Sequence, residues 1–155
     1  MTFIPSSPAT ADEAPPINNH PFFPAVELAE FRSTMRVDNV ATAQRARHAL
    51  YTAMLDVNGR LTDWMLDQLS NGYETLASVP ERPGQPPGAR AELYLRAVYA
   101  LGKASLTERY RDYDTTGQGK NRADDLTENI DDLRRDASWA INDITGRPRS
   151  TIELI

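Results

Sequence analysis

Residues 42–72 read TAQRARHALYTAMLDVNGRLTDWMLDQLSNG, and the spacing of their apolar members decides the fold class. Ala46, Leu50, Ala53, Val57, Leu61, Trp64 and Gln68 recur every three or four residues. That is the period of one face of an α-helix, not the alternation of a strand. Asn71-Gly72 supplies the stop, because glycine takes left-handed backbone at a helix C-terminus without steric penalty. A helix from about 42 to 70 is a rod of about 43 Å at 1.5 Å per residue. Gly59 weakens its middle slightly.

The same period recurs toward the C-terminus. A helix from about 89 to 110 turns Leu93, Ala97, Leu101 (or Ala100), Ala104 and Leu106 inward, and Ala97, Ala100 and Ala104 are small enough to admit a close neighbour. DYDTTGQGKN (112–121) closes it, and a further helix from about 122 to 145 carries Leu126, Ile130, Leu133, Ala137, Ala140 (or Ile141) and Ile144 as its stripe. Asp124 and Asp125 fall in its first turn, where carboxylates favour the helix dipole. Gly146 ends it. VPERPGQPPG (79–88) has four prolines and two glycines, which forbid helix and predict a stiff, exposed connection.

Toward the N-terminus, Pro21 and Pro24 fence Phe22 and Phe23 ahead of a short helical stretch from about 25 to 36. That aromatic pair anchors either into the chain's own core or into a neighbour, and a hydrophobic staple on the helix start explains it equally well. Six prolines in residues 1–24 predict an extended arm. The expectation is an all-α antiparallel bundle of three long helices plus a short N-terminal one. Its units are the arm 1–24, the helical domain 25–145 and an extended tail 146–155.

The chain of 155 residues fits one domain. A formal net charge of -5 argues against a general nucleic-acid binder, whose phosphate contacts need a basic face. There are no cysteines, which removes disulfides and thiolate metal sites and suits a cytosolic chain. No stretch approaches the roughly 20 apolar residues of a membrane span, so no membrane partner is expected.

No catalytic, cofactor or metal site is expected. His20 and His48 are the only histidines and lie far apart, with no H-x-x-x-H or H-E-x-x-H spacing. DTTGQGK (114–120) resembles a phosphate loop in outline, but Asn121 follows Lys120 where Ser or Thr is needed, and a helix precedes it instead of a strand. Asp124-Asp125 and Asp131-Asp132, with Glu128 between, suggest a cation site or an acid–base pair. Lys120, Arg122, Arg134 and Arg135 around them favour a solvated face with local ion pairs.

Tyr94, Arg96, Tyr99, Arg109, Tyr110, Arg111 and Tyr113 are of the types enriched at protein interfaces. Protein contact ranks first for them, ordinary core and surface second, and stacking on nucleic acid third.

FFP (22–24), FRSTMRVD (31–38), LYLRAVYALGKASLTERYRDYDTTGQGKNRADDL (93–126) and DLRRDASWAINDITGRPRSTIELI (132–155) together resemble the head completion protein family of tailed bacteriophages. The likeness runs over about residues 21 to 155 and is most specific in the last sixty or so. It implies a structural, non-enzymatic role. Such a protein joins the capsid after DNA packaging, binds beneath the portal and forms a neck ring, commonly twelve-fold, that retains DNA and receives the next connector or the tail. Its partners would be the portal protein, neighbouring copies of itself and a downstream neck or tail-completion protein, in a virion assembled in the host cytoplasm. Phe22, Phe23, Pro24, Tyr94, Arg96, Arg109, Tyr110, Arg111 and Tyr113 are the expected contacts between subunits or with a partner.

The tail then takes on meaning. Gly146 and Pro148 end the helix, and from Ser150 to Ile155 the sequence favours extension, with Ile152 and Leu154 on one side. The expectation is β-augmentation of the portal, or docking in a groove between its subunits, by Arg147, Pro148, Arg149, Ser150, Thr151, Ile152, Glu153, Leu154 and Ile155. Arg147 and Arg149 would pair with portal carboxylates. Asp124, Asp125, Asp131 and Asp132 are candidates to line a channel that repels exiting DNA. The competing readings are a helical scaffold or regulatory module that binds one protein without forming a ring, and an enzyme with a carboxylate-metal site.

Overall fold

The computed structural model describes residues 15–37, 41–111 and 119–149, side chains at 110–111 and 119–128 excepted. Four helices account for most of it: α1 (Leu28–Met35), α2 (Ala43–Ser70), α3 (Ala89–Arg111) and α4 (Gly119–Thr145), with a short 3-10 turn at Leu76–Ser78. Among the described residues there is no strand, only an isolated antiparallel bridge between Ile17 and Val26. The described part of the chain is all-helical.

That bridge explains where α1 begins. Sequence spacing allows helix from residue 25, but the Val26 carbonyl accepts from the Ile17 amide at 2.9 Å and is thereby committed to the incoming segment. The helix starts at Leu28 instead. It ends at Arg36, whose φ of 48° is left-handed, and the Lys103 ammonium donates to the Arg36 carbonyl at 3.3 Å.

α2 starts on Thr42, whose hydroxyl accepts from the Arg45 amide at 3.3 Å, a side-chain cap for a donor that has no helical partner. At its other end Gly72 takes φ 89°. The Gly72 amide donates to the Leu69 carbonyl and the Tyr73 amide to the Gln68 carbonyl, which is the paired closure of a Schellman motif. α4 ends comparably, with Gly146 at φ 77° and the Arg147 amide returning to the Asn142 carbonyl at 2.9 Å.

α3 is the middle of the molecule, packing most extensively against α4 and next against α2, while α2 and α4 touch less. Its buried face holds Tyr94, Ala97, Val98, Tyr99, Ala100, Ala104 and Leu106, with Leu93 and Leu101 only half-buried. Gly102 lies where α1 and α2 converge: a Cβ there would meet Leu50 Cδ2 at 3.2 Å and Phe31 Cε2 at 3.4 Å. Space, not backbone conformation, makes that position small. α2 contributes Ala46, Leu50, Ala53, Val57 and Leu61 as the spacing predicts, and α4 contributes Ile130, Ala137, Ala140, Ile141 and Ile144. The half-buried Trp64 packs its ring against Phe22 with centroids 6.2 Å apart.

Candidate functional site

From Pro15 onward, the segment expected to be an extended arm is built into the fold. Ile17, Phe22, Phe23 and Val26 are all buried, and the Phe22 carbonyl accepts from the Leu76 amide at 2.7 Å. Phe22 meets Phe23 edge-on at 5.1 Å, while Phe23 stacks on Tyr94 at 4.8 Å and 10°. Each pair has a geometry that aromatic quadrupoles favour. Underneath lies a closed ring of three polar side chains. Asn19 Nδ2 donates to Tyr94 Oη at 2.9 Å, Tyr94 Oη donates to Asn58 Oδ1 at 2.7 Å, and Asn58 Nδ2 donates to Asn19 Oδ1 at 2.9 Å. Burial pushes the Tyr94 phenol up to about 12, against the Asn19 hydrogen bond that lowers it.

Phe22, Phe23 and Tyr94 are thus core residues, and the expectation that they touch a neighbouring subunit is corrected. With 1%, 6% and 0% of their surface exposed, they have nothing to offer a partner. Pro24 is half-buried, and its carbonyl accepts from Asn19 Nδ2 at 2.7 Å. Tyr99 is buried likewise; its hydroxyl donates to Glu30 Oε2 at 2.9 Å. Burial first, then Glu30, raises the Tyr99 phenol above its usual value.

Arg90, at the end of the molecule from which the tail leaves, is the charged residue the sequence did not flag. Among the described residues it alone is both charged and buried. Its guanidinium donates to the Pro80 carbonyl from Nη2 at 3.0 Å and to the Ile144 carbonyl from Nη1. It also sits 5.5 Å over the Trp64 ring. Glu81 lies 3.7 Å from its Nε. One planar fork thereby ties the Pro-rich connection, α2 and the carbonyl end of α4 together, and a cation at a helix C-terminus is favoured by the dipole. Burial, opposed by Glu81, lowers its pKa from the usual arginine value. The 79–88 connection, expected to be an exposed one, is largely exposed but is clasped at its start, where Val79 is buried.

Beyond Gly146 the chain turns back along α4. Asn142 Nδ2 donates to the Pro148 carbonyl at 3.1 Å. The Arg149 guanidinium makes a two-pronged pair with Asp143, at 3.1 and 2.6 Å, and that carboxylate raises its pKa. Arg149 also lies 5.5 Å over the Trp139 ring, to which Arg135 comes within 5.0 Å. So Arg149 has a carboxylate partner, Asp143, within its own chain. Arg147 is exposed. Ser150 to Ile155, and with them the expected strand, lie outside the described residues.

Of the remaining candidates, Arg96 pairs with Asp136 at 3.3 Å across α3 and α4, and Arg109 is exposed. Asp131 and Asp132 are exposed, and Asp132 holds Arg135 at 2.7 Å. Arg134 takes Glu108 at 2.8 Å. Residues 129–149 therefore present a mixed face and not an acidic one. The side chains of Tyr110, Arg111, Asp124 and Asp125, and Tyr113 altogether, lie outside the described residues. Among the described residues no three histidine or acidic side chains converge as a metal site would need, and no helix is long and apolar enough to cross a membrane.

What the described surface offers is charged groups and a few aromatic and apolar side chains on a helical body. Comparison with known proteins is more specific. The phage head completion protein (GPL) family model matches residues 17–155. A "Head completion/stabilization protein" of Escherichia phage P2 is 34% identical over 148 residues, covering 96% of this chain and 88% of that protein. No solved structure matches. The chain belongs to the phage head completion protein family.

Proposed function

We propose that the chain is a head–tail connector that binds the portal once DNA is packaged, forms a neck ring of about twelve copies, and offers the platform for the next connector or the tail. In this reading it is a component of the virion neck, assembled in the host cytoplasm, and its three long helices run as an antiparallel bundle. The observation that carries the reading is family membership across 17–155, which includes the tail as well as the helical body. The tail reaches the portal with Arg147 and residues 150–155. Arg149 exchanges Asp143 for a portal carboxylate, its own side chain being 56% exposed and so open to a competing partner. Asp131, seven positions after Asp124, is the exposed carboxylate that best suits a channel lining, since Asp132 is engaged by Arg135.

The test uses filled heads assembled without this protein. Adding the full chain should make their DNA resistant to nuclease, and a chain ending at Thr145 should not. Equal protection by both would refute tail docking, and protection by neither would refute the connector reading.

A further inference from the structure

Among the described residues, four large apolar side chains are exposed: Tyr51 at 46%, Leu55 at 50%, Leu66 at 52% and Leu69 at 38%. All lie on α2. With Gly59 and Thr62 they follow one another at steps of three or four residues, one stripe along the helix outside its buried face. Gly59 weakens a helix interior, and a Cβ there would find nothing within 4 Å, so the chain's own packing does not require it. A glycine on such a line admits another backbone. Along one edge of the line Arg60 is taken by Asp56 at 2.9 Å, while Asp63 and Asp67 have no side-chain partner among the described residues.

A surface that fits this line is apolar or aromatic with cations beside it, and the same chain carries one on a different helix. On α4, Trp139 lies opposite the buried stripe of Ala137, Ala140 and Ile144. Arg135 and Arg149 stand over its ring, each also held by a carboxylate of its own chain, Asp132 and Asp143, and the exposed Arg147 close by in sequence has no side-chain partner among the described residues. An antiparallel pairing of α2 with α2 would instead set the acidic edges of two copies against each other, which is unfavourable.

We propose that the α2 line of one copy seats on the Trp139 face of the next, a head-to-tail contact between two different surfaces of identical chains. Such a contact propagates, and it forms a ring when its rotation closes. The proposal rests on the connector reading for that closure and names the surfaces through which it occurs.

Because the chain has no cysteine, the contact can be mapped with single substitutions: Leu55→Cys or Leu66→Cys on α2, and Asp132→Cys on the Trp139 face. A short bis-maleimide is added to the free chains at high concentration and to chains loaded on portal rings. The proposal expects covalent dimers when an α2 variant is mixed with the α4 variant, at least ten-fold above either variant alone. Adding Leu69→Glu to the α2 variant should abolish them with helicity unchanged. Dimers formed mainly within the Leu66→Cys population would overturn it in favour of α2 self-pairing. Absence of cross-links while the portal still gains mass would overturn the faces and leave the connector reading standing. Absence of cross-links together with absence of portal loading would overturn both.

Discussion

Tyr94 is a surface aromatic by sequence pattern and a core hydroxyl in the fold, and its partners make the difference testable. Tyr94→Phe leaves Asn19 and Asn58 bonded only to each other and to local backbone, and should cost about 1–3 kcal/mol in chemical denaturation. The pH dependence has a definite sign. The folded phenol titrates at about 12 against an ordinary 10.0, so its contribution to stability is intact below pH 10 and is lost as pH rises toward 12. Tyr99, raised in the same direction, adds to that window. A Tyr94→Phe, Tyr99→Phe double variant should therefore show a flatter stability profile between pH 10 and 12, and an unchanged slope would contradict the burial assigned to these phenols. Arg90 makes a sharper case. Arg90→Ala leaves the Ile144 and Pro80 carbonyls without their donor and should cost at least about 2 kcal/mol. Arg90→Lys should recover little of it, because one ammonium cannot span the fork. Neither residue was legible in sequence: each is defined by partners far along the chain, with Asn19 and Asn58 at one site and Ile144 at the other.

The helices were legible for the reason the residues were not, since a helix is set by local period and local stops. α2, α3 and the C-terminal end of α4 fall within a residue of where apolar spacing and the Asn71-Gly72 and Gly146 signals put them. α1 was misplaced at its start because the deciding contact, Ile17 to Val26, is a bridge that periodicity cannot show. Which of its two anchors the arm takes from residue 15 onward, core or neighbour, stayed open on similar grounds. Proline content argues against helix, but it says nothing of Phe22 and Phe23 finding a pocket against Trp64 and Tyr94. At this scale the end of α4 supplies the prediction. Gly146→Ala forces a side chain onto backbone at φ 77° and should destabilise by about 1–2 kcal/mol. A chain ending at Thr145 should by contrast keep its helical circular dichroism, since the described part of the tail is held by exposed contacts to Asn142 and Asp143. Loss of helicity on that truncation would show the tail to be part of the fold.

For the whole molecule, composition excluded more than it named. The charge balance argued against a general nucleic-acid binder and the absence of cysteine removed thiolate sites, and the resemblance to head completion proteins chose among the connector, scaffold and carboxylate-metal readings that were left. The fold suits that choice by what it sets on its surface: an apolar line on α2, a half-buried tryptophan flanked by arginines on α4, and a short return along α4 past a glycine stop. Its core, by contrast, is closed over the aromatic residues that first looked like contacts. The central claim, that this chain seats on a portal through its C-terminal tail, is tested most directly by weighing portal rings. Mass photometry of rings from the same source, mixed with the full chain or with the chain ending at Thr145, should show a gain of about twelve copies for the first and none for the second. A full gain with the truncated chain, or no gain with the full one, would contradict it.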